Sequence, residues 1–179
     1  QLQLGLETSS DSFDIYLERR LEVFRLVGLI EERGGRLDAL LANLEDRPGH
    51  AKELLSAKHV EGDEVTVIPT YGVAVGDRLF LHYMSVKHWG APGHWDLGMA
   101  GFAYSDDGGE NWTRDADAVL PGDTNWGQVA IIAHEDVLYL FGIPGGRYGD
   151  LKLARVSPDR LLQIGSWEYW DSGAWSADV

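Results

Sequence analysis

Residues 66–112 read TVIPTYGVAVGDRLFLHYMSVKHWGAPGHWDLGMAGFAYSDDGGENW. Three apolar runs rich in β-branched and aromatic residues are punctuated by Gly76-Asp77, Pro92-Gly93 and Asp107-Gly108-Gly109. β-Branched and aromatic side chains suit a pleated surface, and Gly-Asp or Asp-Gly pairs supply the backbone of tight hairpin turns. The stretch therefore predicts consecutive antiparallel strands. Expected strands are 65–68, 72–75, 78–87 and 98–105, with a short one near Trp112.

The same grammar restarts after Pro121-Gly122. Residues 128–133 alternate, Glu135-Asp136 turns the chain, and 137–142 alternate again; 151–156 and 167–170 complete the set. The two units recur with a period of roughly 55–60 residues, the mark of a repeat architecture in which each unit buries its faces against its neighbours. The expected fold class is all-β: an incomplete β-propeller of about two four-stranded blades, preceded by a helical appendage. Two blades do not close a ring, since propellers use about 4–8. The chain thus reads as a truncated propeller, one that closes by oligomerising, or one whose N-terminal helices cover an open edge.

The N-terminal part differs in kind. All seven Trp lie after residue 60. Leu2, Leu4 and Leu6 alternate as in an edge strand. Asp11 or Ser12 can cap a helix over 13–32, where Phe13, Leu17, Leu21, Phe24 and Val27 fall near helical spacing before Gly34-Gly35 stops it. A shorter helix is expected over 37–44, broken by Pro48-Gly49. The expected division is a helical appendage, 1–49, and a β region, 50–179, with a role for the helices in packing or oligomerisation.

The net charge of −14 argues against nucleic acid and anionic membrane as partners, because both require basic patches. No apolar run reaches the length of about 18 residues needed to span a bilayer. There is no cysteine, so neither disulfides nor thiolate chemistry operate. The chain opens at Gln1 without a basic-then-apolar leader, which reads as a processed form or a fragment.

Ser105-x-Asp107-x-Gly109-x-x-Trp112 matches the Asp-box, a hairpin motif of propeller blades and notably of sialidase-like glycosidases. Its reading is structural: Asp107 accepts turn N–H groups, Gly109 permits a left-handed residue and Trp112 packs beneath the hairpin. Four ordered segments carry a wider resemblance. They are Ile68-Pro69-Thr70 with Gly72–Val75; His82–Val86 with Trp89-Gly90 and Trp95; Ala103–Gly109 with Trp112; and Leu140–Arg147 with Leu153–Val156, Tyr169-Trp170 and Trp175. Together they resemble a bacterial propeller family, formerly of unknown function, that includes the endo-D-arabinanases. The resemblance covers about residues 50–175. It implies a five-bladed propeller, usually secreted to the cell envelope or beyond, that hydrolyses furanoside linkages in arabinan-type polymers with paired carboxylates. The family's first blade, with its Phe-Gly-Asp-Thr-like acidic motif, has no equivalent here; residues 12–46 look helical, and Gly122-Asp123-Thr124 is only an echo in another context.

The candidate site residues follow. His82, Tyr83, His88, Trp89, His94, Trp95 and Asp96 form a segment dense in polar aromatics, which suits stacking on sugar C–H faces and binding of hydroxyls. An alternative reading is a Trp-anchored loop with surface histidines. Three His near one Asp raise zinc, but the spacing matches no compact metal motif. No cofactor is expected, and calcium has no motif to support it. Asp123, Asn125 and Trp126 open the second unit; Asp123 is the candidate catalytic carboxylate, with an Asx-turn as the alternative. Arg147, in a Gly-rich loop, and Arg155 are candidate sugar or carboxylate partners. Glu168 is either a buried general acid or a solvent-facing strand residue. Two functions remain in play: a glycoside hydrolase acting on arabinan-type polysaccharide, and a non-catalytic binding or oligomeric scaffold module, associating through its helices or open sheet edges.

Overall fold

The structure, a computed structural model, describes residues 45–47, 50–146 and 148–177. The helices expected over 13–32 and 37–44 lie outside these residues, as does Arg147. The chain divides into two compact units, 1–53 and 54–179. In the first, β1 (Glu45–Arg47) and β2 (His50–Ala51) pair antiparallel. Residues 45 and 46 were expected to be helical and are strand instead.

The second unit is all-β, with two antiparallel sheets. One holds β3 (Thr66–Val75), β4 (Arg78–Trp89), β5 (Trp95–Ser105) and β6 (Thr113–Pro121), in that spatial order. The other holds β7 (Gln128–His134), β8 (Val137–Ile143), β9 (Lys152–Val156), β10 (Glu168–Asp171) and β11 (Ala174–Ser176), again in chain order. Two short 3-10 turns, Pro158–Arg160 and Ile164–Ser166, carry the chain from β9 to β10.

The turns fall where the sequence puts them. Val75 pairs with Arg78 across Gly76-Asp77, and His134 with Val137 across Glu135-Asp136. Gly76 and Glu135 take positive φ, 58° and 52°, the left-handed conformation a two-residue hairpin turn demands. The expected strands 65–68 and 72–75 are one strand, because a bulge between Pro69 and Tyr71 absorbs the irregularity at the proline. β6 is much longer than the short strand expected near Trp112.

Alternation along the strands puts the core between the sheets. Phe80, Ala100, Phe102, Ala118 and Leu120 come from the four-stranded sheet; Val129, Ile131, Leu138, Leu140, Ala154, Val156 and Tyr169 come from the five-stranded one. Trp126 and Trp167 fill the space between. Their rings meet edge-on at 5.7 Å, and the Trp167 indole N–H donates to the Leu161 carbonyl at 3.0 Å. Gly142 admits the Trp126 ring: a Cβ there would lie 2.3 Å from its Cε3.

The opposite face of the four-stranded sheet is also closed. Leu81, Tyr83 and Ala103 are 1% exposed or less. Glu64, equally buried, accepts from Ser85 Oγ at 2.8 Å and from Arg114 at 3.0 Å, and the Arg114 guanidinium lies 5.3 Å over the Tyr83 ring. Burial pushes the Glu64 carboxyl up, but the hydrogen bonds from Arg114 and Ser85 outweigh it and hold the group below its ordinary value.

Trp167 is 1% exposed and packs against Phe102, Trp126 and Tyr169. Replacing it with Ala is expected to destabilise the protein by about 3–5 kcal/mol, read as a lowered urea midpoint with an unchanged slope.

Candidate functional site

Three loops converge at one end of the two sheets. The first is the tip of the β4–β5 hairpin. Trp89 pairs with Trp95 and His88 with Asp96, and the tip is closed by Gly90 and His94 backbone hydrogen bonds of 3.0 and 2.8 Å. The second is the 121–128 connection between the sheets; the third runs over 143–150. Leu97 is the point on which they close. Cβ atoms at Gly122, Gly127 and Gly145 would each come within 2.8 Å of Leu97 atoms, so only glycine lets the loops approach. Asn125 donates to the Asp150 carbonyl at 2.6 Å and Gln128 to the Gly146 carbonyl at 2.8 Å, tying the second loop to the third.

Aromatic rings line this end. Trp89 and Trp95 lie 5.8 Å apart at 56°. His94 stacks on Tyr148 at 5.5 Å and 28°, joining the first loop to the third, and Tyr148 is 72% exposed. The Trp95 indole N–H is buried and has no hydrogen-bond partner among the described residues. Asp96, Asp123 and Asp150, on these same three segments, are exposed. The Asp123 carboxylate makes no hydrogen bond or ion pair among the described residues. The turn that holds it is closed instead by the Thr124 amide and hydroxyl on the Pro121 carbonyl, at 3.2 and 2.7 Å. His88 meets the Glu61 carboxylate, whose hydrogen bond raises the imidazole above its ordinary value.

The other candidates sit elsewhere. His82 is fully buried on the inter-sheet face, edge-on to Phe102 at 5.0 Å, and its Nδ1 shares a hydrogen bond of 2.5 Å with the Thr70 hydroxyl. Tyr83 lies on the opposite face, beneath Arg114. Trp126 is 2% exposed in the core. The structure thus brings His88, Trp89, His94, Trp95, Asp96, Asp123 and Asn125 to one end and leaves His82, Tyr83 and Trp126 inside. Among the described residues, no group of three or more His, Asp or Glu could hold a metal ion. Arg155 donates to Glu168 at 2.8 Å and stacks over Trp175, on the outward face of the five-stranded sheet.

Sequence reasoning missed Tyr148, Asp150 and the role of Leu97. Tyr148 carried a signal, an aromatic residue inside a Gly-rich loop. Leu97 carried none, because its partners are distant in sequence.

At the other end of β5, Asp107 accepts from the Ser105 hydroxyl at 2.7 Å and from the Asn111 amide and side chain at 2.9 and 2.7 Å. These hydrogen bonds, led by the Asn111 backbone, hold its carboxyl at about 2. The Trp112 indole donates to the Gly109 carbonyl at 3.0 Å. This carboxylate is consumed by its own loop.

The fold and this end of it define an all-β module with an aromatic, acid-rimmed loop surface. The chain belongs to the family described as "Domain of unknown function (DUF4185)", whose profile matches residues 32–179. A solved structure described as a complex of BT0996 and RGII is similar at 16% identity with a TM-score of 0.41; the match covers 67% of this chain and 40% of that one. No curated protein matches. Among the described residues no helix is long and apolar enough to cross a membrane.

Burial pushes the His82 imidazole down to about 3, against partial opposition from the Trp126 backbone. The unfolded chain takes up this proton near the ordinary pH of 6.5, and the folded protein does not. The stability His82 contributes is thus full above pH 6.5 and is lost as pH falls toward about 3. Imidazole NMR shifts should show His82 neutral at pH 5, and a His82→Gln variant should show a flatter fall in stability over that window.

Proposed function

We propose that this chain is a polysaccharide-recognising module of β-propeller type, with the loop surface over 89–97, 121–128 and 143–150 as its binding site. The carrying observation is the exposed Tyr148 ring, stacked on His94 of the hairpin that carries the Trp89–Trp95 pair, with Asp96, Asp123 and Asp150 exposed on the same three segments. Ring faces stack on the C–H surfaces of sugars, and carboxylates accept from their hydroxyls. The ligand class is an arabinan-type furanoside polymer, a reading that rests on the family resemblance of the four sequence segments. The Ser105–Trp112 loop is read as an Asp-box that braces the blade, and the setting as extracellular or cell-envelope.

Binding is favoured over hydrolysis. A general acid needs a carboxyl kept protonated by burial or by a neighbouring carboxylate. Asp123 stands exposed. If the module hydrolyses its polymer, Asp123 is the residue through which it acts, as acid/base or nucleophile.

The test is titration of the purified chain with D-arabinan and L-arabinan, alongside an assay for reducing-end release. Tyr148→Ala is expected to weaken binding by about tenfold, the loss of one aromatic contact. Product release that disappears in Asp123→Asn would make the module an enzyme. Binding that is absent, or unchanged in Tyr148→Ala, would overturn the site.

A further inference from the structure

Two buried side-chain nitrogens have no hydrogen-bond partner among the described residues, His82 Nε2 and Trp95 Nε1. His82 lies fully enclosed between the sheets, with the Trp126 backbone beside it, out of a ligand's reach. Trp95 belongs to the loop end. An indole nitrogen can only donate, and a buried donor left unmade is costly enough that folded chains almost always pair it. This chain does so elsewhere: Trp112 donates to the Gly109 carbonyl and Trp167 to that of Leu161, both at 3.0 Å. Trp95 stands apart from both.

Its direction follows from register. β5 advances one residue per pair from Trp95 through Asp96 to Leu97, and the extra residue of the bulge there, Lys87, is on β4. Trp95 and Leu97 therefore share a face. On that face the Leu97 side chain meets the second and third loops, at Gly127 and Gly145. The hairpin tip lies against the third loop as well. A Cβ at Gly146 would come 3.6 Å from the Gly93 carbonyl, and His94 stacks on Tyr148. The tip itself is closed by two backbone hydrogen bonds, and Ala91, Pro92 and His94 are exposed.

We infer that Trp95 is the hydrogen-bond donor of this site: when the tip over 90–94 lifts from Tyr148, the Trp95 indole N–H pairs with a sugar oxygen. The inference rests on the loop-surface reading and names the atom through which that surface recognises its ligand. Lifting the tip parts the His94 and Tyr148 rings, so one movement frees a Tyr148 face for a sugar to stack on and opens the way to the donor. In the closed state the N–H has given up water without gaining a partner. A ligand oxygen supplies the partner, and no bond inside the protein has to break first. A donor already bonded to a carbonyl, like that of Trp112, would exchange one hydrogen bond for another with little net gain. Sugar hydroxyls and ring oxygens both accept, and a donor placed for one of them discriminates against a sugar that lacks it.

The test is indole-proton NMR of the whole chain titrated with D- and L-arabino-oligosaccharides, the Trp95 resonance being assigned by its loss in Trp95→Phe. In the free protein the Trp95 indole proton should resonate upfield of those of Trp112 and Trp167, which are hydrogen-bonded. Bound ligand should move it downfield and leave that of Trp167, in the core, in place. Trp95→Phe keeps a ring and removes the donor. With its circular dichroism unchanged, its affinity should fall about tenfold, the loss of one hydrogen bond. A free-protein resonance already as far downfield as those of Trp112 and Trp167 overturns the inference, because the donor then has a partner. So does binding that weakens in Tyr148→Ala yet leaves the Trp95 proton in place and the Trp95→Phe affinity unchanged; the loop-surface reading survives that outcome. Failure of the reading itself looks different: neither oligosaccharide binds, or binding is indifferent to Tyr148→Ala, and the inference falls with it.

Discussion

The unit over 54–179 depends on the seating of Trp126. This residue lies on the 122–127 segment that carries the chain from one sheet to the other. Its ring is buried between them, meeting Trp167 at 5.7 Å and Tyr169 at 5.6 Å, over a glycine that leaves no room for a methyl group. Apolar burial of a side chain this size contributes several kcal/mol, but its geometric effect matters as much. Asn125 and Gln128 flank it and hold the 143–150 loop by hydrogen bonds. The packing that joins the sheets therefore also positions the loop surface, and a core residue sets the place of Asp123 and Tyr148.

Much of this was legible in the chain, for local reasons. Apolar runs and two-residue turns name β4, β5, β7 and β8 because each strand turns directly into its sequence neighbour. β6 was mostly hidden: TRDADAVLP reads as an acidic loop, since an edge strand with one wet face buries only Ala118 and Leu120. The candidate site divided along the same line. The His88–Asp96 hairpin tip announces itself by composition. His82 and Tyr83 share that composition, but they lie farther down the same strand, where alternation sends one into the inter-sheet core and the other beneath Arg114. The meeting of three loops on Leu97 is a long-range event that no local pattern encodes.

The carboxylates show how one functional group serves different ends. Asp107 is saturated by Ser105 and Asn111, and Glu64 by Arg114 and Ser85. Both hold structure, and both are held ionised by their donors. Asp123 has no such donors in its turn, because Thr124 closes that turn in its place. A carboxylate without structural duty in an exposed loop is free of the hydrogen bonds that hold Asp107 and Glu64 in place, and this distinction, more than residue type, sets it apart from the scaffold acids.

Each sheet is a meander, β3 to β6 and then β7 to β11, with every strand bonded to its neighbour in sequence. Loop-closure entropy is small for such pairings. Hairpins of this kind form on the microsecond timescale, and topologies rich in local contacts fold fast for their class. The one long-range step is the docking of the second meander onto the first. Assembling the aromatic layer between them is the step that closes the longest stretch of this unit, and a nascent chain has its first sheet complete in sequence before residues 128–176 of the second are synthesised.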